Sequence, residues 1–256
     1  MVDECITTGL LDNFNRANGG IGSKWAGLTD QAFYRIANNR VDVQGGGALV
    51  WKPTSFGTSQ AAFVTLSTLD AYSPSQGLLL KVQTGSMPNA GAIAVVYDSL
   101  AHAVRVSTLR LNTPTWTAYA NTPANFANGD KLGGCVLANG AVRIYKNNTL
   151  LASVTLNPAD QSFFNAKGGQ IGLWTIAAPN TFLDDFGGGN VNGIRAAELD
   201  PAATSVEPTL LPNTLFLPLI SSGGLDSTSA TVTDSSETRV EITTQPNTIF
   251  LPLVVR

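Results

Sequence analysis

Between about residue 10 and residue 189 the chain is a succession of short runs in which apolar and polar residues alternate, divided by turn-forming residues. The run Ser59–Leu69 places Phe63, Thr65, Ser67 and Leu69 on one parity and Val64, Leu66 and Thr68 on the other. Leu78-Leu79-Leu80-Lys81-Val82 is too continuously apolar for a strand with one wet face, which predicts a position central to a sheet. Ala92–Tyr97 and Ala103–Leu109 flank the short link Asp98–His102 and read as a hairpin. Lys131–Ala138 and Ala141–Lys146 are divided by Asn139-Gly140, a hairpin signal because both residues tolerate positive φ. Asn147-Asn148-Thr149 makes the next turn and Leu150–Leu156 the next strand; Gly169–Thr175 and Thr181–Phe186 close the series. No amphipathic helix of any length is evident. About a dozen strands without helices predict an all-β sandwich.

Composition narrows the class. Hydrophobic residues make up 43% of the 256, enough for a core, while charged residues are 13%, against about 25% in an ordinary soluble domain. The formal net charge is −3, so no basic stripe is available to neutralise phosphates, which argues against nucleic-acid binding. No apolar run approaches the roughly 20 residues of a membrane span. Low charge with many Gly, Pro, Thr and Val points to an extracellular protein. Met1–Leu11 does not read as a secretory leader, because Asp3 and Glu4 stand where basic residues precede an apolar run.

The charge is unevenly spread. Residues 1–189 hold 12 basic and 11 acidic side chains, whereas residues 190–256 hold Arg195, Arg239 and Arg256 against seven acids and contain no Lys, Trp or Tyr. Two regions are expected: a sandwich over 1–189 and a tail over 190–256. The two cysteines, Cys5 and Cys135, lie in no CxxC pair, and the one histidine, His102, cannot complete a zinc site with them. In a secreted protein they would form one bridge, closing a loop worth about 3–5 kcal/mol in the chain-entropy model; otherwise they are two buried thiols.

Asp12-Asn13-Phe14-Asn15-Arg16, followed by Gly22 and Trp25, resembles the first strand of concanavalin A-like, laminin-G-like jelly rolls of secreted bacterial proteins. Asn128-Gly129-Asp130-Lys131-Leu132 and then Asn139–Asn148 are similar to the central hairpin of that family. Gly169-Gln170-Ile171-Gly172-Leu173-Trp174 and Phe182-Leu183-Asp184-Asp185-Phe186 resemble its closing strands. The resemblance covers roughly residues 10–189. It implies a jelly-roll β-sandwich but no single function, since lectins, glycosidases, adhesins and structural modules share the fold.

Candidate chemistry is sparse. Retaining glycosidases carry two acids about 5–5.5 Å apart, which one strand supplies only at i, i+2 or i, i+4. Glu4 is the one Glu in residues 1–189, the pattern Glu-x-Asp-x-x-Glu is absent, and Asp184 and Asp185 are adjacent, so on a regular strand they face opposite ways. His102 falls in an expected turn with no Gly-x-Ser-x-Gly elbow. Gly45-Gly46-Gly47 and Gly187-Gly188-Gly189 lack a Gly-Lys-Ser/Thr and read as loops or a linker. The expectation is a chain that is not an enzyme and has no cofactor, with one open question. The resemblance brings the strands of Asp12 and of Asp184 and Asp185 together, where they would either bind Ca²⁺, which wants six to eight oxygens, or accept hydrogen bonds from backbone or Arg16. For a glycan, Trp116 and Tyr119 are the first candidates and Trp51 and Tyr97 the alternatives; the competing reading for all four is packing. Asn147-Asn148-Thr149 is a formal glycosylation sequon.

The tail carries a repeat. Residues 206–220 (VEPTLLPNTLFLPLI) recur as residues 240–254 (VEITTQPNTIFLPLV), with ten of fifteen positions identical. Two copies are too few to stack into a solenoid. Each ends in an apolar run broken by a proline that cannot donate to a ladder, and Asp226–Thr244 between them suits a polar hairpin through Val232, Val240 and Ile242. An exposed Leu-Phe-Leu-Pro-Leu segment is an edge-pairing hazard, which leads to an expectation of strand addition to a neighbouring subunit. The residues assigned to that contact are Pro212, Leu215, Phe216, Leu217, Pro218 and Leu219, and Pro246, Ile249, Phe250, Leu251, Pro252 and Leu253. The expected function is therefore an extracellular structural protein that assembles with itself into a filament or surface layer. The alternative is a cell-surface carbohydrate-binding module with polysaccharide as partner.

Overall fold

The computed structural model describes residues 3–83, 91–111, 115–119 and 121–191 and, in the tail, residues 214–216, 230–233, 239–241 and 252–254. The chain divides into two units, Met1–Arg195 and Ala196–Arg256.

The first unit is an antiparallel β-sandwich of the jelly-roll kind. One sheet runs, edge to edge, β15 (Thr149–Thr155), β14 (Ala141–Lys146), β13 (Asp130–Val136), β7 (Gln60–Thr68), β17 (Phe182–Asn190), β5 (Arg40–Val43), β4 (Tyr34–Ala37) and β2 (Gly19–Gly20), with β1 (Leu10–Asp12) also laid on β17. The other runs β11 (Thr117–Ala118), β10 (Ala103–Leu109), β9 (Ala92–Asp98), β8 (Ser75–Val82), β16 (Gln170–Ile176), β6 (Gly47–Trp51) and β3 (Trp25–Gly27), with β12 (Thr122–Pro123) also on β10. Side-chain alternation sends Val64, Leu66, Leu132 and Ile144 from the first sheet and Leu78, Leu80, Ile93, Val95, Ile171 and Leu173 from the second into one core.

Strand β8 lies between β9 and β16 and is buried on both faces, as its apolar run predicts. The Ala92–Tyr97 and Ala103–Leu109 hairpin is β9–β10, its turn held by the Asp98 carboxylate accepting from the backbone N–H of Leu100 and Ala101 at 3.0 and 2.9 Å. At Asn139-Gly140 only Gly140 takes positive φ, 83°, because Leu137 and Ala141 close a longer loop (2.9 Å, N–H to carbonyl). The turn with two positive-φ residues is Asn147-Asn148, at 49° and 67°, between β14 and β15.

Two expectations need correction. A helix is present: α1 (Pro158–Phe164) starts from Asn157, whose side chain accepts from the Asp160 N–H at 2.9 Å, with proline at the first turn. And Gly187-Gly188-Gly189 is no linker, but the end of β17, paired with β7 and β1. A Cβ on Gly187 would stand 2.2 Å from the Phe63 ring, so glycine is what lets these strands close.

Cys5 and Cys135 are joined in a disulfide, Cα atoms 5.7 Å apart, that ties the start of the chain to β13. Ala61, Leu137, Tyr145 and Val191 pack around it. Beside it the Asp3 carboxylate accepts from the Tyr145 hydroxyl at 2.6 Å and from Arg143 at 3.3 Å.

In the second unit β18 (Thr214–Phe216) pairs antiparallel with β21 (Pro252–Val254): Thr214 faces Val254, Leu215 faces Leu253, and Phe216 faces Pro252. Inside that pair β19 (Ala230–Thr233) and β20 (Arg239–Glu241) form the polar hairpin, with Val232 and Val240 on its strands. The described residues of the first copy, Thr214–Phe216, thus lie beside those of the second, Pro252–Val254. Of the residues assigned to assembly, Leu215, Phe216, Pro252 and Leu253 lie in this pair. Pro212, Leu217, Pro218, Leu219, Pro246, Ile249, Phe250 and Leu251 fall outside the described residues, as does Ile242.

Candidate functional site

The outer face of the second sheet is apolar, which is unusual for a face turned away from the core. Ala48 and Val50 on β6, Leu79 and Val82 on β8, and Ala92, Ala94 and Val96 on β9 form a second buried cluster, with Trp116 and Trp174 packed against it. The alternation of β16 explains Trp174: Ile171 and Leu173 point into the core, and Trp174 points the other way. Its strand neighbours are Ala48 and Gly77, and Gly172 beside it is flanked by Val50 and Leu79. Small residues around it let the indole lie over the sheet. Trp116, just before β11, sits beside it with ring centroids 5.4 Å apart and planes at 51°. Both rings keep part of their surface open.

The rung that holds Trp174 continues through Gly77 and Val96 to Arg105 on β10. Three strand spacings separate its ends, about 14 Å. The Arg105 guanidinium is fixed, donating to the Asp98 carboxylate and to the Pro74 carbonyl, both at 2.6 Å. The face therefore combines an aromatic pair with a held cation and, on the next rung, Ser107.

Lys81 marks the border of this face. Its backbone is left-handed (φ 48°), which reverses the alternation at the end of β8: Val82 joins the outer cluster and the amine turns inward. That amine is fully buried and donates to the Phe164 carbonyl at 2.8 Å. Burial brings its pKa down to about 8.

Tyr119, the expected companion of Trp116, belongs elsewhere. It packs against the core, and its hydroxyl donates to the Asp160 carboxylate and accepts from the Asn157 N–H at 3.1 Å. Asp160, at the start of α1 and fully buried, also accepts from Thr108 at 2.5 Å and pairs with Arg110 at 3.0 Å. Burial, followed by the hydrogen bond to Asp160, raises the Tyr119 pKa. A ring so engaged is a strut for α1, not a glycan platform. Trp51 and Tyr97 are core residues too: Trp51 lies against Trp25 and Phe186, and Tyr97 against Phe126. Trp116 is the one aromatic of the four on the outer face, and sequence reasoning missed its partner. The alternation within Gln170–Ile176 carries that signal, since Ile171 and Leu173 on one parity leave Trp174 on the other.

The acids expected as calcium ligands are also placed. Both Asp12 oxygens are taken: Arg16 donates at 2.8 and 3.1 Å, Trp25 Nε1 at 2.8 Å and the Phe14 N–H at 2.9 Å. Burial would raise the pKa of Asp12, but these donors outweigh it and hold the carboxyl below its ordinary value. Asp184 and Asp185 do not alternate as on a regular strand. A bulge with Asp185 at φ 46° keeps both outside the core, between buried Leu183 and Phe186. Burial and the charges of Asp185 and Asp12 raise the Asp184 pKa against the pull of Arg40. Among the described residues no three His, Cys, Asp or Glu side chains are grouped to hold a metal ion. His102 sits in the β9–β10 turn at φ 47°, its Nδ1 3.5 Å from the Tyr97 hydroxyl. No helix among the described residues is long and apolar enough to cross a membrane.

No protein-family model matches the sequence, and no curated protein matches it. Among solved structures the chain is similar to the endo-β-1,3-glucanase from Pyrococcus furiosus, at 12% identity over 70% of this chain and 93% of that one, with a TM-score of 0.46. It is similar to carbohydrate-binding module CBM66 from Bacillus subtilis, at 12% identity over 72% of this chain and 98% of that one, with a TM-score of 0.42. The carbohydrate recognition domain of Emp46p gives 12% identity over 76% of this chain and all of that one, with a TM-score of 0.47. The expectation that the chain is not an enzyme is corrected by the first of these, since a similar sandwich serves an endo-glucanase.

Proposed function

We propose that the sandwich binds a saccharide on the outer face of its second sheet, stacked on Trp116 and Trp174. The observation that carries this reading is the indole pair, 5.4 Å apart and partly open, seated on a floor of small residues. Sugar rings offer one apolar C–H face to an aromatic ring and hydroxyls at their edge. Arg105, pinned by Asp98, and Ser107 supply donors and acceptors on the same side of the sheet. An extracellular setting belongs to the proposal, supported by the disulfide and the low charge.

The test is affinity electrophoresis of the full chain in gels containing a neutral β-glucan or alginate. Retardation by at least one polysaccharide is expected. Trp174→Ala and Trp116→Ala should abolish it while the far-ultraviolet circular dichroism stays unchanged. Retardation that survives Trp174→Ala, or no retardation in either gel, refutes the assignment.

A further inference from the structure

The loop over residues 69–74, which joins β7 to β8, is fixed more firmly than a connection requires. Asp70 is buried, and its Oδ1 accepts from the Tyr72 N–H at 2.9 Å. Its Oδ2 accepts from the Asn180 N–H at 3.2 Å and the Asn180 side-chain amide at 3.1 Å. Gln76, fully buried, accepts from the Asp70 N–H at 2.9 Å and from the Thr181 hydroxyl. It donates in turn to the Asp70 carbonyl at 2.9 Å and to the Ser99 hydroxyl at 2.8 Å. One buried polar network thus ties the loop to the β9–β10 turn and to the connection between β16 and β17, and a network so satisfied specifies one conformation. The side chain it holds up is not itself buried: Tyr72 is 77% exposed.

The loop lies at the end of the face that carries the indole pair. Ile176 is two residues beyond Trp174 on β16, so it shares that face, and it is exposed. The Ser73 hydroxyl donates to the Ile176 carbonyl at 2.8 Å, and the Ser73 carbonyl accepts from the Ser99 N–H at 3.0 Å. The Pro74 carbonyl is one of the two acceptors that fix Arg105, so the loop and the held cation of the outer face are one construction. Strand rise, hydrogen bond and one chain step together place the Tyr72 backbone within about 18 Å of the Trp174 backbone. That is a span for several sugar rings. We propose that Tyr72 is a second stacking platform of the saccharide site, and that the ligand is an extended polysaccharide chain, not a mono- or disaccharide. The proposal rests on the reading of Trp116 and Trp174 as the first platform. A phenol ring offers a sugar the same flat apolar face as an indole, with a hydroxyl at its edge. A backbone fixed before the ligand arrives lowers the ordering cost of binding.

The test uses the full chain with β-glucan and alginate, as polymers in affinity gels and as oligosaccharides of graded length followed by tryptophan fluorescence. Tyr72→Ala should weaken binding of the polymer about three- to tenfold, the range of one aromatic contact, with an unchanged melting temperature because the ring is exposed. Tyr72→Phe should bind as wild type, since stacking needs the ring and not the hydroxyl. The gap between wild type and Tyr72→Ala should be absent for the disaccharide and open as the oligosaccharide lengthens. Equal polymer affinity in wild type and Tyr72→Ala overturns the second platform. So does a gap of one size at every length, which would mean that Tyr72 acts on the first platform through the fold. Either result, with binding still lost in Trp174→Ala, leaves the indole pair as the site. Retardation that survives Trp174→Ala, or none in either gel, removes that reading and the second platform with it.

Discussion

Replacing Asp12 by alanine tests whether the N-terminal motif acts as a hydrogen-bonded hub. Asp12 is 8% exposed and its carboxylate receives four donors: two from Arg16, one from Trp25 Nε1 and one from the Phe14 backbone. Trp25 and Phe14 are buried, so removing their acceptor strands two N–H groups at about 1–3 kcal/mol each. The Arg16 side chain is 35% exposed and keeps the Ile21 carbonyl at 2.6 Å, so screening limits its share to about 1 kcal/mol or less. These effects overlap, and a total near 3–4 kcal/mol is expected. Asp12→Asn keeps an acceptor for Phe14 and should lose about half of that. Urea unfolding followed by tryptophan fluorescence is the assay, because Trp25 and Trp51 stand in the ring cluster that Asp12 anchors. The pH dependence has a definite sign. The folded pKa of Asp12 lies below its ordinary 3.8, so the ionised carboxylate stabilises the fold above that value and the contribution disappears as pH falls through the folded pKa. The gap between wild type and Asp12→Asn should therefore shrink as the buffer is taken below pH 4. A loss under about 1 kcal/mol for Asp12→Ala, or a gap independent of pH, refutes the hub.

Three further outcomes follow from the sandwich. With the Lys81 pKa lowered from 10.5 to about 8, the folded chain binds fewer protons than the unfolded chain between those values, so stability should rise with pH across that window. Lys81→Met should flatten the rise and stabilise the protein at pH 7 by about 1 kcal/mol, measured by urea titration at pH 7, 8.5 and 10. Reducing the Cys5–Cys135 bridge, which spans 130 residues, should lower stability by about 3–5 kcal/mol, read from the melting temperature of Cys5→Ser with Cys135→Ser. Tyr119→Phe removes the donor to Asp160 and the acceptor of Asn157, and should cost about 1–2 kcal/mol in urea while leaving retardation by polysaccharide unchanged.

Much of the fold was legible because local chemistry and tertiary burial agree. The apolar run at Leu78–Val82 names a two-faced central strand, and that is where β8 lies. Asn147-Asn148 supplies the positive φ a tight hairpin requires. The helix was missed although Asn157-Pro158-Ala159-Asp160 carries a capping residue and an N-terminal proline, because seven residues are too few to show a periodic apolar stripe. The site was less legible. Trp116 and Trp174 are 58 residues apart in sequence and meet only because β10 and β16 belong to one sheet. Pattern alone cannot separate Trp116 from Tyr119, whose hydroxyl is claimed by an aspartate from a different element. The Asp184–Asp185 bulge is likewise invisible in a pattern that assumes strict alternation.

The last two strands of the sandwich bear on how it folds. β17 lies between β7 and β5, and β16 between β8 and β6, so the latest residues made fill the middle of both sheets. Until they arrive on the ribosome, β5 and β6 have no bridge to β7 and β8, and four inner strand edges stay open. Pairings that join such distant residues make for slow folding, on the scale of milliseconds to seconds. Through that interval the unfilled slots invite any free strand nearby, including those of a neighbouring nascent chain. Both cysteines of the Cys5–Cys135 bond precede the closing strands in the chain, while Val191, just past β17, packs against the finished bridge.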